Sequence, residues 1–274
     1  MKKNLWIYLG VAGALGLTLV PIYWLVTISL KTVVDQFAVP PLWFRFPVTL
    51  EHYYDILFVR SFGTYVLNSV LVAAVSTVLA LLLGVAAAYA LARLPMPRNW
   101  TRHLSFLILS TRMAPPIVTV VPLFLLLREF GLLNTRVGLI IVYTGFNLPF
   151  VIWMMRGFFE ELPADLEEAA WVDGSSRLRA LRDVVLPLVA PGLAATAVFC
   201  LIIAWNEFLL ALILTQTDAA MTLPVGIAGR VTQYEIKWGA MSAAGVVAML
   251  PVFGFALAVQ RYLVRGLSLG AVKG

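Results

Sequence analysis

The sequence predicts an all-α integral membrane protein with six transmembrane helices, and three observations predict it. First, 61% of the 274 residues are hydrophobic, 12% are charged, and the mean hydropathy is +0.92. A water-soluble domain carries about a quarter charged residues. The polar surface that would cover a water-facing globule is missing here, whereas lipid accepts apolar side chains all round a helix. Second, six stretches reach the roughly 20 mainly apolar residues that a bilayer crossing needs. They cover 5–30, 65–92, 104–127, 137–155, 191–214 and 241–262. Third, none of the 20 Lys and Arg form a run of three. They stand singly or in pairs at the edges of apolar stretches, as the loop charges of membrane proteins do. The net charge of +6 is therefore topology-setting charge, not the footprint of a nucleic-acid partner.

The first stretch begins like a secretory signal, with Lys2 and Lys3 ahead of Leu5. Its apolar run continues to Leu30, which is too long for a signal core, and it lacks a small-x-small cleavage site. It reads as a retained first span. With the N-terminus inside, twelve basic residues fall on the cytoplasmic side: Lys2, Lys3, Arg93, Arg98, Arg102, Arg156, Arg177, Arg179, Arg182, Arg261, Arg265 and Lys273. Seven fall outside, five of them in the long loops at about 31–64 and 215–240, and Arg112 lies within a span. This bias predicts that both termini are cytoplasmic. No fixed-period repeat interrupts the chain, so residues 1–274 read as a single membrane domain.

The chemistry available to the chain is narrow. One cysteine, Cys200, excludes a disulfide framework and a thiolate metal cluster. His52 and His103 lie in separate loops, so no His-based triad or zinc motif assembles. The spans contain no Ser/His, paired-Asp or His-Glu constellation, which argues against an intramembrane enzyme. An ion-coupled transporter needs intramembrane acids, and Glu207 is the one carboxylate well inside an expected span.

Helix breakers include Pro21 in the first span and Pro115-Pro116 in the third. A proline frees a carbonyl that lipid cannot satisfy, so each marks either a kink packed on protein or a water-filled cavity. Gly84 with Ala86, Ala87, Ala88 and Ala90 gives the second span a small-residue face suited to close helix packing.

Between the fourth and fifth spans lies a polar loop, residues 156–190. Pro163 suits a first helical position, Asp165 the positive N-terminal end, and Gly174 a left-handed stop. Leu166, Ala169 and Ala170 stand at i, i+3 and i+4 and predict a small apolar face. Ser175 or Ser176 then caps a second helix, with Leu178, Leu181 and Val185 on one side. Two short helices with a glycine turn make a compact docking element.

Here the chain resembles a known family. Glu168-Ala169-Ala170, three residues, Gly174, nine residues, Val184, one residue and Leu186-Pro187 match the EAA loop of ABC-importer permeases. Val184 stands where the family usually has isoleucine. Ser29-Leu30-Lys31, Asn68-Ser69, Ala204-Trp205-Asn206-Glu207-Phe208 and the tail from Gly266 to Gly274 are similar to the maltose-type carbohydrate permeases, specifically their six-span partner subunit. The resemblance covers essentially the whole chain. It implies the ABC-importer permease fold and half of a translocation pathway for a sugar or sugar derivative. A permease for a non-carbohydrate solute and an ion-coupled transporter are the alternatives.

The resemblance further implies a bacterial or archaeal inner membrane, a second permease subunit, an ATPase dimer and an extracytoplasmic solute-binding protein. Glu168, Ala169, Ala170, Asp173, Gly174, Leu186 and Pro187 would couple to the ATPase, which would carry ATP and magnesium. This chain would bind no cofactor and no metal. It lacks a phosphate loop of its own: Lys31 is the sole Lys followed by Ser or Thr, and Leu30 precedes it in place of Gly.

Polar residues inside the spans are the candidates for the pathway. Arg112, Asn206 and Glu207 are expensive in lipid and should face the bundle or a cavity, as interhelical glue or as pathway lining. Treated as straight rods, the spans would set Arg112 and Glu207 about 12 Å apart in depth, too far for an ion pair. Arg112 then snorkels or bonds backbone carbonyls near the Pro115-Pro116 break. In the outer segment 226–238, Gln233, Tyr234 and Trp238 are candidates for contact with the solute-binding protein, against a default reading as a plain surface loop.

Overall fold

The computed structural model describes residues 2–59, 62–95, 97–229 and 236–270. In chain order, α1 (Lys2–Leu30) is followed by two short helices, α2 (Val33–Gln36) and α3 (Glu51–Tyr54), and then by α4 (Phe62–Arg93). Next come α5 (Arg98–Ser110), α6 (Pro116–Glu129) and α7 (Arg136–Glu161). The polar loop forms α8 (Asp165–Val172), α9 (Arg177–Ala180), a π turn (Leu181–Val185) and α10 (Leu186–Leu188). The chain continues through α11 (Ala190–Trp205), α12 (Leu209–Leu214) and α13 (Leu223–Ala228) to α14 (Trp238–Gly270).

Among the described residues, four helices are long and apolar enough to cross a membrane: Trp6–Leu30, Phe62–Arg93, Arg136–Glu161 and Trp238–Ala258. They coincide with the first, second, fourth and sixth expected spans. At 1.5 Å per residue the 32-residue α4 is about 48 Å long, more than the ~30 Å hydrocarbon core, so it tilts or extends beyond the core.

The other two expected spans are broken. Trp100–Met113 and Pro116–Glu129 meet at 91°. Ala114 (ψ 127°) and Pro115 (ψ 132°) are extended, because each precedes a proline that excludes the helical region. The fifth stretch is interrupted at residues 206–208, between α11 and α12. A second bend, of 79°, separates Arg177–Leu188 from Ala190–Trp205. The structure thus supports four to six spans, and reaches six where each bent pair counts as one.

The helices fall into two compact units. The first comprises Met1–Tyr65 and Leu223–Pro251. Within it Lys31 is 1% exposed, its ammonium lying 4.3 Å from the Trp24 ring centroid and 5.0 Å from that of Phe46. Burial pulls its pKa below the usual lysine value, and Asp35 acts in the opposite direction. His52 Nε2 donates to the Lys31 carbonyl at 2.9 Å, and Thr49 N–H to the Leu30 carbonyl at 2.8 Å, closing the segment back on the end of α1.

The second unit comprises Val66–Thr222 and Val252–Gly274. Its apolar core joins Ala80, Ala88 and Tyr89 of α4 to Val151, Met155 and Phe159 of α7, and adds Leu181, Val185, Val189 and Cys200. The small-residue face of α4 is partly realised. Gly84 and Ala88, one turn apart, are buried, while Ala86 is exposed. A Cβ on Gly84 would stand 2.6 Å from Val151, which is why glycine occupies this helix crossing. Elsewhere Asn68 Nδ2 donates to the carbonyls of Ala219 and Met221 at 3.2 and 2.8 Å. Asn134 Oδ1 accepts the Gln216 and Thr217 amides at 2.8 and 3.0 Å. Two side-chain amides thereby fix the irregular 215–222 segment by pairing backbone groups that no regular helix satisfies.

Candidate functional site

The loop after α7 builds one candidate site. Pro163 lies two residues ahead of α8, and Ala164 is its N-cap without a side-chain hydrogen bond. The sequence expectation of Pro163 at the first helical position is displaced by two residues. Asp165, Glu167 and Glu168 all occupy the first turn, where the helix dipole favours acids. At the other end Gly174 N–H donates to Trp171 O at 3.0 Å and Ser175 N–H to Ala170 O at 2.9 Å. This pair of bonds is the Schellman motif, and it needs the left-handed φ of +86° found at Gly174. Ser176 caps α9 by accepting from Arg179 N–H at 3.3 Å.

The faces of α8 correct the sequence reading at one residue, Ala170. Glu167 and Ala170 are 2% and 9% exposed, whereas Leu166 and Val172 are 42% and 87% exposed. Glu168, Ala169 and Asp173 are exposed as well. The helix turns Glu167 and Ala170 inward and Leu166, Ala169 and Val172 outward, so Ala170 leaves the apolar face on which the spacing groups it with Leu166 and Ala169. The cause is a partner for the acid. Glu167 accepts the Tyr89 hydroxyl on Oε2 and Arg93 Nε on Oε1, both at 2.6 Å. Arg93 also donates from Nη2 to the Leu162 carbonyl at 2.8 Å. A second correction follows further on, where Leu178 is 75% exposed while Leu181 and Val185 are buried. The π turn at 181–185 inserts extra residues per turn and breaks the spacing that would align the three. Leu186 packs against the core and Pro187 is exposed.

A second candidate site is a cavity of about 250 Å³ beside the two broken helices. Arg112, Tyr143, Asn147 and Glu207 line it, with Phe146, Ile203 and Leu210 among the apolar walls. Arg112 donates to the Phe146 carbonyl at 3.1 Å, and its guanidinium lies 5.2 Å from the Phe150 ring centroid. Glu207 accepts the Tyr143 hydroxyl at 2.6 Å and the amides of Leu210 and Ala211 at 2.7 and 3.0 Å. The straight-rod estimate of 12 Å in depth does not describe these helices, since the third expected span turns through 91°. Arg112 and Glu207 therefore share one cavity, without an ion pair between them. Asn206 is exposed outside its lining, and its Nδ2 donates to Ile202 O at 2.8 Å.

Of the outer residues, Trp238 opens α14 and is 42% exposed, while Gln233 and Tyr234 lie outside the described residues. Among the described residues no three His, Cys, Asp or Glu cluster as metal ligands.

Glu167, Tyr89, Arg93, Tyr143 and Asn147 were not among the sequence candidates. A signal for the first three existed. Tyr89 and Arg93 stand one turn apart on a single helix face, and Glu167 shares a face with the buried Ala170 at i+3.

Long apolar helices, with a short capped helix exposing Leu166, Ala169 and Val172 in the loop between two of them, mark a membrane protein with a docking loop. The chain belongs to the binding-protein-dependent transport system inner membrane components, whose family model matches residues 80–269. It is 42% identical over 264 residues to the trehalose transport system permease protein SugB of Mycobacterium tuberculosis, covering 94% of each chain. It is 36% identical over 254 residues to the diacetylchitobiose uptake system permease protein DasC of Streptomyces coelicolor, covering 93% of this chain and 91% of that one. Among solved structures, a bacterial ABC transporter involved in import of the acidic polysaccharide alginate superposes with a TM-score of 0.76 at 26% identity. That match covers 96% of this chain and 98% of its counterpart. The resemblance to ABC-importer permeases drawn from the EAA loop holds, and the chain is a permease component, a part that does not itself hydrolyse ATP.

Proposed function

We propose that this chain is one half of the translocation pathway of an ATP-driven carbohydrate importer. The outward apolar face of α8 carries the coupling part of this reading. An eight-residue helix is marginal alone, and here Leu166, Ala169 and Val172 lie on the side that its own chain leaves uncovered. That face, with Glu168, Asp173, Gly174 and the following Leu186-Pro187, docks into a separate ATPase dimer that binds ATP and magnesium. The carbohydrate assignment is supported by the relatives, whose names specify trehalose and diacetylchitobiose.

The remaining parts follow from the same reading. Residues 1–274 act as a single permease domain in the inner membrane, paired with a second permease subunit. The charge bias supports cytoplasmic termini and a cytoplasmic α8. Gln233, Tyr234 and Trp238 face an extracytoplasmic solute-binding protein. The cavity with Arg112 lies along the solute path, since guanidinium N–H groups suit sugar hydroxyl acceptors. Glu207 holds the pathway's shape: three donors fix its carboxylate, which disfavours the ion-coupled alternative, whose acid must be free to change partners. Asn206 stands beside the path at the helix break.

The test is Ala169→Trp. The reading expects membrane insertion as in the wild type, loss of the ATPase from pull-downs, and loss of uptake, because the bulky ring overfills a close contact. Full ATPase retention and full uptake would contradict it.

A further inference from the structure

We infer that Glu167 is a positioning residue for energy coupling: its buried carboxylate fastens α8 to the end of α4, so that the docking helix and that membrane span move as one body. The inference rests on the proposed docking of an ATPase at α8, and it concerns the opposite face of that helix.

Three observations carry it. The apolar contacts of the loop are made by Leu162 ahead of α8 and by Leu181, Val185, Leu186 and Val189, which enter the core from the π turn and beyond. From α8 itself, Glu167 and Ala170 are the buried side chains, and an alanine offers little grip. Directional attachment of α8 to a long span is therefore the work of Glu167. Its geometry suits the task. Tyr89 and Arg93, one turn apart on α4, each take one carboxylate oxygen at 2.6 Å, so both the position and the rotation of the carboxylate are set. The same Arg93 holds the Leu162 carbonyl, just before α8 begins. One guanidinium thus ties down both the approach to the helix and its first turn.

Rigidity follows from burial. Arg93 and Glu167 are 14% and 2% exposed at their side chains, so separating them would strand a charge in a poorly hydrated place. The Tyr89 ring packs edge-on to Phe159, with centroids 5.7 Å apart, which anchors the second donor in the core. A push on the outward face of α8 is consequently transmitted to α4 before it is dissipated in the loop.

The experiment uses the whole importer, reconstituted with its solute-binding protein in liposomes. It reads ATP hydrolysed per solute accumulated, together with ATPase stoichiometry in the complex. Glu167→Gln keeps the shape but removes the charge and sets an amide N–H₂ against one of two donors. We expect it to keep the ATPase bound and to raise the ATP-to-solute ratio by about fivefold, within the range that network substitutions shift a coupling. Tyr89→Phe, which removes one hydrogen bond, should raise the ratio less. Arg93→Glu should uncouple, and Arg93→Glu with Glu167→Arg should bring the ratio back toward the wild-type value, a rescue that a general packing role would not give. A wild-type ratio in both Glu167→Gln and Tyr89→Phe overturns the inference. So does loss of the ATPase from either, which would make Glu167 part of the docking surface. The docking reading fails separately, if Ala169→Trp leaves ATPase binding and uptake intact.

Discussion

At the scale of single residues, the loop shows how far side-chain identity was readable. Gly174 was legible because a left-handed stop has few other occupants, and the structure has φ +86° there. No neighbour lies within 4 Å of a Cβ built on it, so substitution acts through the backbone alone. Gly174→Ala should destabilise the turn by about 1 kcal/mol. That corresponds to a loss of ATPase affinity of about fivefold, measurable by titrating ATPase onto the permease in detergent. Unchanged affinity would show that the Schellman turn does not set the docking helix. Glu167 was legible only as a face-mate of Ala170, because the partners that hold it buried, Tyr89 and Arg93, lie more than 70 residues earlier in the chain. Arg93 read as one more topology charge at a span edge. It has that position, and it is also the buried partner of an acid.

At the scale of elements, apolar length predicted the unbroken helices well and the broken ones poorly. α1, α4, α7 and α14 follow from uninterrupted runs, with boundaries moved by a few residues. Hydropathy is blind to the 91° bend before Pro116, because an average over a stretch of residues carries no direction. The Pro115-Pro116 pair marked the place without giving the angle. The break between α11 and α12 has a different cause, with Glu207 supplying acceptors to the two amides that open α12. Glu207→Ala removes that capping and leaves the Tyr143 hydroxyl without its acceptor, a loss of about 1–3 kcal/mol. It should lower the thermal midpoint of the purified complex, and Glu207→Gln should recover much of the loss. Arg112→Ala should leave the midpoint nearly unchanged while reducing uptake. If Glu207→Ala unfolded like the wild type, the capping role would be wrong. If Arg112→Ala transported normally, the cavity would not lie on the solute path.

At the scale of the whole molecule, composition sufficed for the membrane and the EAA spacing for the family. The outer face of α8 was legible in part, since the spacing grouped Leu166, Ala169 and Ala170, of which the structure leaves Leu166 and Ala169 exposed and buries Ala170. The central claim joins that face to an orientation, and one measurement tests both. Cys200 is buried and is the one cysteine of the chain, so Ala169→Cys introduces a single exposed thiol. A membrane-impermeant thiol reagent applied to this variant should label inside-out vesicles stripped of ATPase and leave right-side-out vesicles unlabelled. Adding back the ATPase should protect the thiol in the inside-out vesicles. Labelling from the right-side-out vesicles, or labelling that the ATPase does not diminish, would contradict the account.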